Sequence, residues 1–322
     1  MSIEVLKPGP LSALQDLARV GSQRFGVITS GVMDEWSHRI ANRLVGNPAD
    51  PATLEITLMG PSLLFHEPTL IAITGADLSP RVGEQAVPME RPVLLEAGSR
   101  LDFGRRAFGC RAYLAVHGGF DVPLVMGSRS TYLRAGFGGF EGRALRKGDR
   151  LTVGAGEPAA VFAALADARI DVPPHPGRVD RAIRIIAGQQ WARFTDEAQA
   201  LFLGSVFRVN LNSDRMGYRL EGPGLALRAP LEMISEAVAF GSVQVPPDGQ
   251  PIVLMADRQT TGGYPKIASV ASVDLPLLAQ RTPGQELRFD RIDLDEAQRL
   301  YLARERDIGR LSALIDSLKG QR

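Results

Sequence analysis

Short β-branched and apolar runs fenced by glycine and proline recur along this chain, and they limit its fold more than any other feature. With 34 glycines and 22 prolines to act as fences, Leu54–Met59, Leu70–Thr74, Ala112–Val116, Ile183–Ile186, Val206–Leu211, Pro251–Met255 and Glu286–Phe289 all read as strands. The expected class is mainly β with a few helices, an α+β arrangement. Met33 to Val45 places Met33, Trp36, Ile40, Ala41 and Leu44 on one helical face, and Gly46 with Pro48 supplies the stop. A shorter helix follows Thr195. The longest begins near Asp295 as N-cap and carries Leu300, Tyr301, Ile308, Leu311, Leu314, Ile315 and Leu318, with Gly309 as a point where it breaks.

At 322 residues the chain has room for about two domains. Between Gly154 and Arg181 it becomes rich in Ala, Gly and Pro, including Pro173-Pro174-His175-Pro176-Gly177, which is the composition of a linker or an exposed crossover. That gives an N-terminal domain at 1–155, a linker at 156–180 and a C-terminal domain at 181–322. The halves echo each other: Gly60-Pro61-Ser62-Leu63 with Pro68 returns as Gly222-Pro223-Gly224-Leu225 with Pro230 at one common offset. The echo points to an internal duplication of a barrel-like unit, with the helix after Met33 as an insertion in the first copy.

Thirty-seven basic against thirty-six acidic side chains leave a net charge of +1, so bulk electrostatics give no case for nucleic acid or an anionic membrane as partner. No stretch approaches the roughly 18 consecutive apolar residues of a membrane span. The opening Met1 to Pro8 has neither a basic n-region nor an apolar h-region, which makes the cytoplasm the expected location. A single cysteine, Cys110, excludes an intrachain disulfide, and His38, His66, His117 and His175 show no ligand spacing, so no structural metal is expected.

Polar density jumps in Asp257-Arg258-Gln259-Thr260-Thr261-Gly262-Gly263-Tyr264-Pro265-Lys266, directly after an apolar strand. Two glycines let backbone N–H groups approach an oxygen, the threonine hydroxyls donate or accept, and Lys266 supplies a point charge. Such a group can polarise a carbonyl. The competing reading is a hairpin that turns at Gly262-Gly263 and ends at Pro265. In Asn212-Ser213-Asp214-Arg215-Met216-Gly217-Tyr218, Arg215 can clamp a carboxylate with Asp214 fixing its orientation and Tyr218 offering a hydroxyl, or the segment is an Asx-turn with a surface ion pair. Gln244 is an isolated polar residue in a strand, explained by a satisfied barrel amide or by a ligand contact. Arg24 sits in a glycine-punctuated loop leading to Asp34, which caps the helix or meets a ligand. Gly136 to Gly142 misses the dinucleotide fingerprint, because Glu141 stands where the third glycine belongs, and reads as a loop. There is no G-x-S-x-G elbow, no Ser-Ser pair of the amidase kind and no Met-Lys-Met-like biotin attachment site.

Taken in order, Arg24 to Met33, Ala41 to Pro48, Leu54-Glu55 with Gly60-Pro61, Gly75 to Leu78, Tyr113 to Val116 with Gly118-Gly119, Gly127 to Thr131, Ser213 to Pro223 and Ile252 to Lys266 resemble the family of the 5-oxoprolinase C subunit. This family is also called allophanate hydrolase subunit 2 or the Kip-type antagonist family, and it forms part of the carboxyltransferase region of urea carboxylase. The resemblance covers almost the whole chain. It implies tandem cyclophilin-like β-barrel domains and a Kip-inhibitor-like partner, the B subunit, with which the chain works.

Three functions follow from the resemblance. As the C subunit, the chain helps a complex with a deacetylase-like A subunit, and with the Kip-inhibitor-like one, use ATP to open 5-oxo-L-proline to L-glutamate. As half of a biotin-dependent carboxyltransferase, it takes carboxybiotin from a separate carrier and passes the carboxylate to a urea-like acceptor. As a regulatory antagonist, it sequesters a kinase-inhibitor partner. A free-standing chain favours the first, since urea carboxylase fuses these parts. The expected catalytic residues are Lys266, Arg215, Tyr218, Thr260 and Thr261, with Asp214, Gln259, Gly262, Gly263, Gln244, Arg24 and Asp34 binding substrate and no metal. Lys266 and the Thr260 to Gly263 backbone would stabilise charge on the lactam oxygen, and Arg215 would anchor the substrate carboxylate.

Overall fold

The computed structural model describes residues 2–155, 164–166, 168 and 170–320. Part of the expected linker, at 156–163, 167 and 169, lies outside the described residues. The chain forms two compact units, one from residues 1–20, 30–175 and 306–322 and one from residues 21–29 and 176–305.

The first unit holds two antiparallel sheets. One runs in the order Arg150–Thr152, Ser2–Lys7, Ser62–Phe65, Arg100–Phe103, Pro80–Val82, Gln85–Ala86, and the other in the order Ser12–Gln15, Thr53–Thr57, Phe108–Val116, Thr69–Asp77, Pro92–Leu95. The strand Phe108–Val116 shows why its sequence is almost continuously apolar: both of its faces are covered. Ala112, Leu114 and Val116 join Ile71 and Ile73 in one core, while Tyr113 and Ala115 join Leu70 and Ala72 in another. That second core is closed by Trp36, Ile40, Ala41 and Leu44 of the helix Glu35–Leu44, as their spacing predicts, and by Ile308, Leu311 and Ile315 of the helix Leu294–Gly320.

Two details of that long helix differ from expectation. Its cap is Asp293, whose carboxylate accepts from the Glu296 N–H at 2.7 Å, rather than Asp295. Gly309 does not break it, because the flanking Ile308 and Leu311 are buried and hold the turn in place.

The second unit carries one eight-stranded sheet, in the order Glu286–Leu287, Phe207–Val209, Gly217–Glu221, Ile252–Leu254, Ser242–Gln244, Lys266–Val270, Ile183–Ala187, Phe289–Arg291. The first and last strands of that order are separated in the chain by Arg288 alone, so the sheet is a nearly closed barrel. Phe202, Phe207 and Phe289 are buried and pack on one another, with Phe202 stacked on Phe289 at 4.5 Å between ring centroids. The Gly-Pro echo has a shared physical cause in the two units. A Cβ on Gly60 would lie 2.2 Å from the Phe103 ring, and one on Gly222 would lie 2.5 Å from the Phe207 ring. Each glycine is there to let a phenyl ring sit on the backbone.

Candidate functional site

The polar loop starts where the strand Ile252–Leu254 ends beside Gly217–Glu221, with Gly217 opposite Leu254 and Tyr218 opposite Val253. The pairing continues past the strands, since Met255 N–H donates to Met216 O at 3.0 Å and Asp257 N–H to Arg215 O at 2.8 Å. This register brings two side chains face to face. Arg215 Nε donates to Asp257 Oδ2 at 2.9 Å and Nη2 to Oδ1 at 3.0 Å, both side chains being buried. The residue that orients Arg215 is therefore Asp257. The expected orienter, Asp214, instead accepts from the N–H groups of Met216 at 2.8 Å and Gly217 at 3.3 Å, the Asx-turn pattern. Tyr218 is a core residue whose hydroxyl donates to Arg281 O at 3.3 Å. Burial pulls the Arg258 guanidinium below its ordinary pKa, against the opposing charge of Asp257.

Beyond Arg258 the chain forms a two-stranded ribbon, in which Gly262 pairs with Glu236 and Thr261 with Ala237, before entering the strand Lys266–Val270. The hairpin reading of Gly262-Gly263 does not hold, because neither glycine has a positive φ and Gly262 sits in the ribbon rather than at a turn. What Gly262 supplies is space. A Cβ there would lie 2.5 Å from Gln244 Nε2 and 3.2 Å from Gln259 Nε2, so two primary amides converge on this one backbone position. Gln244 is 2% exposed, and its Nε2 has no hydrogen-bond partner among the described residues. A buried amide donor in that state costs about 1–3 kcal/mol, which a satisfied barrel amide would not.

Lys266 stands opposite Gln244 in register, and its Nζ donates to Glu236 Oε1 at 2.5 Å, the carboxylate being 40% exposed. Gln259, Thr261 and Gly263 are exposed and Thr260 is half-buried. The structure thus gathers Gln244, Gln259, Gly262 and Lys266 around the ribbon and adds Glu236, while Arg215 and Asp257 hold the start of the loop. Arg24 is on an exposed 3-10 turn, its guanidinium 4.7 Å from the Phe25 ring. Further along its loop, Ile28 is buried, and so is Thr29, whose Oγ1 reaches Ala256 O at 3.5 Å.

Asp34 belongs to the first unit and is wholly buried. Its carboxylate accepts from Ser37 N–H at 2.9 Å and Ser37 Oγ at 2.7 Å, and His175 Nε2 lies 2.7 Å away. Burial alone would raise its pKa, but His175 and Ser37 together pull it below the usual carboxylate value. Its N–H donates to Tyr113 Oη at 2.9 Å, which in turn donates to Glu55 Oε2 at 2.8 Å. Burial, then Glu55, raises the Tyr113 pKa well above the ordinary phenol. His175 is fully buried, so the Pro-rich run is not an exposed tether at that residue.

Sequence reasoning passes over three of these groups. Asp257 opens the polar motif and is legible as a partner for an arginine. Glu236 lies in a stretch with no periodicity, and His175 is hidden among prolines.

The family model for the carboxyltransferase domain, subdomain A and B, matches residues 25–291, and the chain belongs to that family. It is 38% identical over 314 residues to the 5-oxoprolinase C subunit of Haemophilus influenzae, covering 98% of this chain and 99% of that protein. It is 39% identical over 295 residues to the Escherichia coli protein of the same name, covering 92% of this chain and 93% of that one. Among solved structures, the urea amidolyase of Kluyveromyces lactis is similar with a TM-score of 0.86 at 30% identity, over 96% of this chain and 20% of the amidolyase. Among the described residues, no helix is long and apolar enough to cross a membrane.

Proposed function

We propose that this chain is the C subunit of an ATP-dependent 5-oxoprolinase, acting in the cytoplasm with a deacetylase-like subunit, and with a Kip-inhibitor-like one, to open 5-oxo-L-proline to L-glutamate. The observation that carries this reading is the length-for-length match: proteins named for that activity align with 98% and 92% of this chain and with 99% and 93% of their own length. A lactam is resonance-stabilised, so its opening suits coupling to ATP, which would transfer its γ-phosphoryl group to the lactam oxygen and leave ADP, before water adds at the carbon, the C–N bond breaks and phosphate departs.

The chain's own residues would act on that carbonyl. Gln244 Nε2, without a partner among the described residues and under a glycine, supports a role as a donor to the lactam oxygen, with Gln259 as a second amide from the rim. Lys266 would place positive charge where negative charge develops, and Glu236 would hold its ammonium. Arg215 has two donors engaged by Asp257, so we assign it to positioning the loop rather than to anchoring the substrate carboxylate. Thr260, Thr261 and Gly263 would frame the entrance.

The alternative is a biotin-dependent carboxyltransferase half, favoured by the family model and by the likeness to urea amidolyase. The same amides would then hold the ureido oxygen of biotin delivered on a separate carrier, which supplies the activated carboxylate. The two readings separate in one experiment: the purified chain is combined with its deacetylase-like and Kip-inhibitor-like partners, glutamate release from 5-oxoproline is followed with ATP alone, and carboxylation of urea is followed with a biotinylated carrier, bicarbonate, ATP and an added biotin carboxylase. ATP-dependent release without the carrier is expected. Carrier-dependent carboxylation with no glutamate release would reverse the assignment.

A further inference from the structure

The barrel seam of the second unit holds a pocket of about 180 Å³ that the proposed reaction does not use. Three arginines line it from three separate segments: Arg181 before the strand Ile183–Ala187, Arg281 after the helix Leu275–Ala279, and Arg288, the single residue between the two edge strands. They differ in what already holds them. Arg181 donates through both Nη atoms to the buried Asp274, at 2.5 and 2.6 Å. Asp274 also takes Arg184, through Nη2 at 2.6 Å and Nε at 3.1 Å.

Arg281 is less well served. Its Nη2 reaches Asp180 only at 3.4 Å, and that aspartate is 99% exposed, while its buried Nε has no partner among the described residues. Nε and Nη2 form the edge of the guanidinium that grips an oxyanion through two parallel bonds, and here the edge is half occupied by a loosely held side chain. Arg288 is exposed and makes no ion pair or side-chain hydrogen bond among the described residues. The two rim carboxylates do not cancel this charge. Glu286 is paired with Arg208 at 3.3 Å, Asp180 is the weak partner of Arg281, and Asp274 serves two arginines at once.

We propose that this seam pocket is a binding site for a phosphate-type oxyanion, which displaces Asp180 from Arg281 and is held from a second direction by Arg288. Two guanidinia from separate segments suit a tetrahedral dianion better than a planar monocarboxylate, because each can take its own pair of oxygens. The site joins the residues that flank the closing strands, so its ligand also fastens the barrel seam.

The test uses the full chain and inorganic phosphate as the probe, by calorimetric titration and thermal unfolding against potassium chloride at matched ionic strength. Phosphate is expected to bind with a millimolar or tighter dissociation constant and to raise the melting temperature above the chloride control. Arg288→Gln, at an exposed position, is expected to weaken binding at least tenfold with the fold intact, and Arg281→Gln likewise. Asp180→Asn removes the competitor and is expected to tighten binding several-fold. Acetate is expected to bind at least tenfold more weakly than phosphate. The proposal is overturned if phosphate acts no differently from chloride, if Arg288→Gln binds as well as the parent chain, or if acetate matches phosphate.

Discussion

Two acid–base pairs, one in each unit, look alike as chemistry and differ in what surrounds them. Asp34 and His175 are both 0% exposed and lie 2.7 Å apart, whereas Lys266 is 10% and Glu236 40% exposed at 2.5 Å. In the first pair Asp34 is met by Ser37 and by the Tyr113 hydroxyl, itself bound to Glu55, so its polar groups are satisfied within the protein. The second lies next to an amide whose donor has none among the described residues. A buried, satisfied pair acts as cement, whereas a pair with one exposed partner beside an unmet donor is what the proposed site requires.

The largest effect expected from this contrast is on stability. Asp34→Ala removes one partner of a buried pair and the cap of the helix Glu35–Leu44, and should destabilise the chain by about 3–5 kcal/mol in urea unfolding. A loss below about 1 kcal/mol, the range of exposed pairs, would erase the distinction between the two regions.

Next comes a pH effect centred on His38 of the first unit. Burial lowers the pKa of His38 from 6.5 to about 4. A histidine held neutral by folding contributes stability that is complete above 6.5 and is lost as the pH falls towards 4. Stability should decline by about 2–3 kcal/mol across that window, and His38→Gln should flatten the decline. Asp34 and Asp274 are held below the ordinary 3.8, so their contribution is present above 3.8 and is lost only below it. Urea midpoints measured from neutral pH down to about 4 separate the two sources.

Lys266→Ala should reverse the pattern of Asp34→Ala. Stability should change by less than about 1 kcal/mol because Glu236 is partly exposed, while turnover of 5-oxoproline by the reconstituted complex should fall about 100-fold. Unchanged turnover would remove Lys266 from the site.

How much of this is legible in the sequence depends on what each feature rests on. Strands and helix faces are readable because hydrophobic period is local: Tyr113 and Leu114 face different cores as alternation demands. The loop from Asp257 to Lys266 is readable as polar and glycine-rich. Its pairing is not, since the register that sets Asp257 against Arg215, and Glu236 against Gly262, joins segments far apart in the chain. Asp214 is the natural choice for Arg215 by adjacency, but a side chain that caps its own turn is no longer available to its neighbour. The same limit explains why Gly262 invites a hairpin reading. Sequence shows that a side chain is missing, and only the fold shows which atoms occupy the room.

Gly262→Ala sharpens the comparison with the smallest intervention. The added methyl would meet Gln244 Nε2 at 2.5 Å, and that atom is the far end of a flexible side chain, so the carboxamide can turn away at little cost to the barrel. The ribbon needs no unusual backbone at this position, so no strain is introduced there. Stability should therefore stay within about 1 kcal/mol of the parent chain. Turnover should drop about tenfold if the amide donates to the substrate oxygen as proposed, because the added methyl displaces it. Gln244→Leu, which removes the donor and keeps the volume, should give a similar loss of turnover with equal or greater stability, since it also removes an unsatisfied buried group. If Gly262→Ala and Gln244→Leu both leave turnover untouched, the convergence of amides at Gly262 is packing, and the second unit's pair is cement like the first.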